Sequence, residues 1–163
     1  MDAANHFETK ATYLHARLEY GTALAVCAGL LLVHRAEVNW LNVLILLSYI
    51  DLIGYLPGAV AYRLSRDGSI SRVYYVMYNI MHSFISGLAV AAVWTYFFGA
   101  EWALLAIPIH LCADRSIFGN FPKAYALSFE PRRHPVYARF AAEFVKEVAD
   151  GRPQYRRRAG AAR

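Results

Sequence analysis

Long apolar runs separated by short polar segments dominate the chain between residues 18 and 118. The run Leu41–Tyr62 has Asp51 as its single charge, and the run Val73–Ala100 has no charge. Uncharged apolar runs of about 20 residues are typical of transmembrane helices, because a helix rises ~1.5 Å per residue and the hydrocarbon core is ~30 Å thick. The pattern predicts an all-α polytopic membrane protein with four transmembrane helices, at Leu18–Val33, Trp40–Tyr62, Val73–Phe98 and Trp102–Phe118.

The chain becomes more polar after the fourth predicted span. We therefore expect a four-helix transmembrane domain at residues 1–122 and a cytoplasmic segment at residues 123–163. Within that segment, apolar residues recur every four positions from Val136 through Phe140 and Phe144 to Val148. This spacing predicts an amphipathic C-terminal helix that lies on the bundle or on the lipid headgroups, followed by a basic tail.

Charge adds an orientation to this topology. Hydrophobic residues make up 58% of the chain and charged residues 18%, and the net charge is +5. Basic residues are concentrated in alternate connections: Arg63, Arg66 and Arg72 follow the second span, whereas the connection after the third span has none. The positive-inside rule then predicts cytoplasmic N- and C-termini in a bacterial inner (plasma) membrane. Because topology and the lipid bilayer account for the arginines, we expect no nucleic-acid partner.

Four polar residues interrupt the predicted spans: Asp51, His82, His110 and Asp114. An ionised Asp at the centre of a span costs about 2.5–3.5 kcal/mol, so such a residue usually has a partner or a function. Counted at ~1.5 Å per residue, all four lie in one layer roughly 6–17 Å from the cytoplasmic surface. His110 and Asp114 are also spaced i and i+4 on one helix face. The sequence therefore predicts that the four side chains form one cluster.

Two imidazoles and two carboxylates are the ligand types that bind zinc, iron or manganese. The cluster therefore predicts a divalent metal site with Asp51, His82, His110 and Asp114 as ligands. Two alternatives stay open: an internal hydrogen-bond network without metal, and a proton or ion transport path. Cys27 and Cys112 lie inside predicted spans, so we expect no structural disulfide.

The motifs resemble those of a known group of proteins. The segments DLIGYLPG from Asp51, YNIMHS from Tyr78 and HLCADR from His110 are similar to a family of small, uncharacterised bacterial integral membrane proteins. The resemblance spans Asp51–Lys123 and implies no activity. More distantly, the chain resembles the predicted membrane-bound metal-dependent hydrolases of bacterial inner membranes. That resemblance implies that Asp51, His82, His110 and Asp114 are metal ligands.

Two functions follow as expectations. The first is a membrane-embedded metal-binding protein that acts as a metal-dependent hydrolase on a lipid or lipid phosphoester near the cytoplasmic leaflet. In it Asp114 or Asp51 is the general base, and Arg115, or Arg63 and Arg72 near the headgroups, holds a phosphate. The second is a non-catalytic accessory subunit or assembly factor of a larger membrane complex, with an Asp/His/Arg network as structure. A homo-oligomer is compatible with both.

Overall fold

The computed structural model describes residues 10–125, 127–130 and 135–149, and every regular element among them is helical. The chain divides into two compact units, Met1–Phe129 and Glu130–Arg163. The second unit contains α7 (Pro135–Ala149), over the segment predicted to be helical. The first contains, in chain order, α1 (Lys10–Val33), α2 (Trp40–Gly54), α3 (Leu56–Leu64), α4 (Arg72–Met81), α5 (Phe84–Phe98), a 3₁₀ turn (Trp102–Leu105), α6 (Ala106–Ala113) and a π-helical turn (Asp114–Phe118).

Among the residues that the structure describes, two helices are long and apolar enough to cross a membrane: Ala11–Val33 within α1, and Trp40–Leu64, which joins α2 and α3. A third crossing results if α4 and α5, which meet at an angle of 60°, count as one span. The predicted all-helical class is therefore confirmed, and two or three of the four predicted spans meet the requirement. The fourth, Trp102–Phe118, consists of shorter elements and does not.

The third predicted span is not one continuous helix. Within Val73–Phe98, α4 ends at Met81 and α5 begins at Phe84. Ser83 takes an extended conformation between them, and its hydroxyl accepts a hydrogen bond from the backbone N–H of Ile85 at 3.2 Å. Ser83 is thus the N-cap of a new helix, and capping satisfies a donor that the break leaves without an intrahelical partner. The break places His82 at a helix end, beside the predicted cluster.

Helix α2 packs against α3, α4 and α6, whereas α1 and α5 pack against α6. The side chain of Asn39 caps its N-terminus by accepting from the N–H groups of Leu41 and Asn42. A kink at Tyr55 separates α2 from α3, whose first turn contains Pro57, a residue without an N–H to donate. Small residues of α6 and the preceding turn allow close contact with α2, and the resulting core consists of Leu46, Ile50, Ala103, Ala106, Ile107 and Leu111.

Gly54 allows α2 and α4 to approach each other closely. A methyl group on its Cα would lie 2.7 Å from Cβ of Met81 and 3.3 Å from Cε1 of His82. Gly58, one turn further, lies equally close to the ring of Phe129, which is fully buried. The G-x-x-x-G spacing in the sequence therefore serves helix packing, and its first glycine brings His82 against α2.

Two carboxylates connect the helix ends away from the His and Asp cluster. Glu101 accepts hydrogen bonds from Nδ2 of Asn42 (2.9 Å) and Nε1 of Trp94 (2.6 Å). Glu37 accepts from His34 (3.2 Å) and from Nε1 of Trp102 (3.1 Å). Both hydrogen bonds stabilise the charged carboxylate and so lower the pKa of Glu37, and the bond from His34 has the larger effect. The connections between spans are therefore fixed by specific bonds, which holds α2 and α6 in register.

Candidate metal centre

The structure brings together the four predicted ligands from separate elements. Asp51 lies on α2, His82 directly follows α4, His110 lies on α6, and Asp114 begins the π-helical turn. Nε2 of His82 is 3.2 Å from Oδ1 of Asp51 and 3.3 Å from Oδ2 of Asp114. Nε2 of His110 is 3.7 Å and 3.5 Å from the same two oxygens. Two nitrogens and two oxygens thus alternate around one small space.

Backbone carbonyls fix the orientation of both imidazoles. Nδ1 of His82 lies 2.9 Å from the carbonyl oxygen of Tyr78, and Nδ1 of His110 lies 2.8 Å from that of Leu47. A carbonyl oxygen only accepts hydrogen bonds, so each Nδ1 carries a proton. In the neutral imidazole, Nε2 then presents a lone pair. This carbonyl-anchored arrangement is the one that histidine ligands of metals commonly show.

The lone pairs of the two Nε2 atoms face carboxylate oxygens that are themselves acceptors. Such a contact is repulsive unless a proton or a cation lies between the atoms. Within the described ranges, Nε2 of His110 and Oδ2 of Asp114 are the buried side-chain atoms that have no hydrogen-bond partner. Buried polar atoms without a partner are rare and costly. The residues therefore fit a positively charged ion at the centre of the cluster.

The spacing also fits a small metal ion. Bonds of ~2.0–2.2 Å in a tetrahedral site put neighbouring ligand atoms about 3.3–3.6 Å apart. The four nitrogen–oxygen distances, 3.2 to 3.7 Å, are close to that separation. Asp51, His82 and His110 offer ligand atoms that all lie within 4.8 Å of one another, so this group could hold a metal ion.

The cluster is closed on three sides and open on one. The side chains of His82, His110 and Asp114 are 6%, 11% and 14% exposed, whereas that of Asp51 is 52% exposed. The residues after Asp51 on α2, Leu52 and Ile53, are also exposed. One edge of the cluster therefore faces outward from α2 among apolar side chains.

The π-helical turn orients Asp114. Oδ1 of Asp114 accepts from Nδ2 of Asn120 at 3.3 Å, which leaves Oδ2 directed at the two imidazoles. Arg17 of α1 donates to the carbonyls of Ser116 (2.6 Å) and Ile117 (2.8 Å), groups that have few partners at a helix end. The chain then turns at Gly119 in the left-handed conformation (φ 72°). Single π-helical turns often occur at functional sites, because they redirect a side chain.

Arg115, which the sequence predicts to hold a phosphate, supports the helix break in the structure. Its Nη2 donates to the carbonyl of His82 at 3.1 Å, and its Nη1 donates to the hydroxyl of Tyr20 at 3.2 Å. Its Cζ also lies 4.9 Å and 4.6 Å from the ring centroids of Tyr20 and Phe84. Arg115 therefore places a positive charge beside the cluster and fixes the backbone of a predicted ligand.

The residues that follow the π-helical turn, 119–125 and 127–129, form a segment that we call the strap. Asn79 of α4 donates to the carbonyl of Lys123 at 2.9 Å and accepts from its N–H at 2.6 Å. The ammonium of Lys123 lies 4.5 Å from the ring centroid of Tyr78, and that ring stacks on His82 at 3.8 Å. The strap is thus bound to the helix that positions His82.

Sequence reasoning identified the polar residues of the cluster but missed its supporting groups. The carbonyls of Tyr78 and Leu47 leave no mark in a sequence, and Asn120 is an ordinary polar residue after a predicted span. The His82–Ser83 pair does carry a signal, since Ser is a preferred N-cap residue. Comparisons with protein-family models, with curated proteins and with solved structures find no match for this chain.

Proposed function

We propose that this protein is a four-span membrane protein that binds a divalent metal through Asp51, His82, His110 and Asp114. One observation carries the proposal: two imidazoles, each held by a backbone carbonyl, direct their Nε2 atoms at two carboxylates. Zinc, iron and manganese suit this ligand set. Asp114 is the fourth ligand because its Oδ2 lies within 3.5 Å of both Nε2 atoms.

The fourth span is Trp102–Phe118 in this proposal. Its 17 residues extend about 25 Å at ~1.5 Å per residue. Exposed apolar side chains on α1, α2 and α5 support immersion in lipid, since soluble proteins rarely expose large apolar surfaces. We infer a bacterial inner-membrane location with both termini cytoplasmic, from the distribution of the basic residues.

The reaction that we propose is metal-dependent hydrolysis of a lipid or lipid phosphoester near the cytoplasmic leaflet. A divalent metal in such a site supplies Lewis acidity toward an ester oxygen and makes water more acidic. The residues of the chain have separate tasks. His82, His110 and Asp114 would hold the ion, and Asp51 would offer it Oδ1, the oxygen that faces both histidines. The second oxygen of this half-exposed carboxylate is then placed to accept a proton at the open edge.

Metal content is the first test. The detergent-purified wild type is compared with the His82→Ala/His110→Ala double variant and with His15→Ala, which removes an exposed histidine of α1. We expect about one metal per chain in the wild type and in His15→Ala, and none in a folded double variant. Hydrolysis of lipid phosphoesters in vesicles should be lost in parallel. A folded wild type without metal after reconstitution would overturn the proposal.

The competing function is an accessory subunit whose cluster is structural. One observation favours it: Nε2 of His82 lies 3.2 and 3.3 Å from two carboxylate oxygens, so a protonated imidazole could bridge them. This function predicts that His82→Ala unfolds the protein, because the largely buried Asp114 and the half-exposed Asp51 lose their counter-charge. It also predicts co-purification with a fixed membrane partner.

A further inference from the structure

The open edge at Asp51 and the positive charge of Arg115 together indicate a second ligand at the metal centre. The exposed side of the cluster leaves room for a donor in addition to the four protein ligands, and a catalytic metal site can expand from four to five ligands. Asp51 marks that side, because half of its side chain is exposed while the other three ligand residues are largely buried. The charge of the surroundings decides which donor fits.

A charge count around the loaded cluster leaves an excess of positive charge. The carboxylates of Asp51 and Asp114 balance a divalent ion, and both histidines are neutral ligands. Arg115 adds one positive charge where its guanidinium bonds to the backbone of His82. Ion pairs in the described part of the chain join histidines to carboxylates, so Arg115 has no carboxylate partner there. An uncompensated charge within a membrane span is costly.

We propose that an anionic oxygen donor, a phosphate or carboxylate group, binds on the Asp51 side and that this anion and the metal bind cooperatively. The proposal rests on the metal site described above. The anion offsets the charge of Arg115 and occupies the side that the protein leaves open. Arg115 acts through this charge and not through contact, because its terminal nitrogens donate to Tyr20 and His82.

The surroundings of Asp51 favour the headgroup of a lipid over free phosphate. Leu52, the next residue of α2 after Asp51, is 59% exposed, and Ile53, one residue further, is 47% exposed. Apolar side chains at this edge suit acyl chains, whereas an aqueous anion would have to cross them. We therefore expect an anionic amphiphile to bind more tightly than the same anionic group without chains.

Co²⁺ binding to the full-length protein in an uncharged detergent tests this inference. The free Co²⁺ concentration is set by a chelator, and occupancy is followed by the ligand-field absorption. Three additives are compared: dihexanoyl phosphatidic acid, inorganic phosphate and dihexanoyl phosphatidylcholine. We expect phosphatidic acid to lower the Kd of Co²⁺ roughly fivefold or more, the usual range of coupling between sites, and the other two to change it little.

Variants of Arg115 separate a specific effect from attraction of Co²⁺ to an anionic micelle. Arg115→Lys keeps the charge and should keep the coupling. Arg115→Gln should lose the coupling, measured as the ratio of its Kd for Co²⁺ with and without phosphatidic acid, whatever its affinity for Co²⁺ alone. Arg63→Gln, which removes an arginine of the last turn of α3, should behave as wild type. If phosphatidic acid lowers the Kd of Co²⁺ as much in Arg115→Gln as in the wild type, the proposed role of the Arg115 charge is wrong. If Arg115→Gln does not fold, the three additives compared on the wild type and on Arg115→Lys still test whether an anionic lipid and Co²⁺ bind cooperatively.

The outcomes distinguish this inference from the proposed function. Tight Co²⁺ binding that no anion changes would overturn the second ligand and leave the metal site standing. Equal tightening by inorganic phosphate would overturn the lipid source of the anion. A folded wild type that binds no Co²⁺ under any condition would overturn the metal site, and this inference with it.

Discussion

The histidines carry the most specific information at the scale of single residues. Because each Nδ1 bonds to a carbonyl, both rings should have their proton on Nδ1 and a free Nε2. Nitrogen NMR of protein with ¹⁵N-labelled histidine should therefore show this tautomer for His82 and His110. On titration with Zn²⁺, the Nε2 signals of these two rings should move and their Nδ1 protons should stay.

The same spectra contain their own controls. The chain has six histidines, and His6, His15, His34 and His134 lie outside the predicted cluster. Their signals should not respond to Zn²⁺ at one equivalent. Metal-free protein in which His82 or His110 carries protons on both nitrogens would instead favour the structural network of the accessory-subunit function.

Gly54 tests whether the distance between α2 and His82 matters. In Gly54→Ala the new methyl group would meet Cβ of Met81 at 2.7 Å, and neither backbone can move without displacing His82. We expect destabilisation of about 1–3 kcal/mol, the usual cost of overpacking, and a lower metal content. Thermal melting in detergent and metal analysis measure the two effects.

Gly29→Ala is the matched control for Gly54→Ala. Both substitutions add a methyl group to a glycine in a predicted span, but nothing lies within 4 Å of the position on Gly29. Because alanine favours helix by up to ~1 kcal/mol over glycine, Gly29→Ala should be neutral or stabilising. Equal melting temperatures for the two variants would contradict the close packing of α2 against α4.

Single residues were the part of the site that the sequence predicted best. A charge inside an apolar run is conspicuous, and depth along alternating helices is simple arithmetic, so Asp51, His82 and His110 could be placed together. The sequence could not reveal that Asp51 is half exposed or that Arg115 bonds to His82. Those facts depend on helix rotation and on backbone groups, which residue types do not encode.

At the scale of elements, the break between α4 and α5 is the main departure from expectation. Hydropathy predicts one span there, because Val73–Phe98 is mostly apolar, carries no Asp, Glu, Lys or Arg, and contains no proline. The structure ends α4 at Met81 instead, and the cap from Ser83 and the bond from Arg115 satisfy groups exposed by the break. Local capping thus outweighs helix continuity, a balance that apolar content alone cannot predict.

The strap is the second element that the sequence did not foresee, and Asn79 tests its attachment. Asn79→Ala removes both hydrogen bonds to the backbone of Lys123 and leaves its carbonyl and N–H without these partners. We expect the strap to open more often, so that trypsin cleaves after Lys123 at least severalfold faster, as open-state proteolysis predicts. Metal content should persist, because Asn79 bonds to the strap and the strap reaches His82 indirectly, through the ring of Tyr78 that stacks on the imidazole.

Thr22→Ala provides a comparison for the strap. Thr22 is exposed on α1 and its hydroxyl bonds to the carbonyl of Leu18 in its own helix. The substitution also removes a side-chain hydrogen bond, but it should leave the cleavage rate after Lys123 unchanged. A wild-type rate in Asn79→Ala would show that other contacts of the strap suffice to hold it.

At the scale of the whole molecule, many large apolar side chains are exposed in addition to the apolar core. Large apolar side chains such as Leu18, Leu41 and Ile85 are exposed, whereas His82 is buried. The sequence predicted this class because uncharged apolar runs of this length are typical of membrane spans. It could not fix the number of crossings, since a bent pair and a short segment can each cross or turn back.

The number of crossings can be measured from the side on which each connection lies. Four crossings place the connection around Arg66 and the C-terminus on the cytoplasmic side, and the connections around Arg35 and Gly99 outside. If Trp102–Phe118 turns back instead, the C-terminus lies on the same side as Gly99. In a bacterial host, fusions at Arg66 and the C-terminus should therefore be fluorescent with green fluorescent protein and inactive with alkaline phosphatase.

Phosphatase activity at the C-terminal fusion would mean three crossings. His110 would then reach the cluster on a segment that returns to its own side, and the positive-inside argument would fail, because its most basic segment would lie outside.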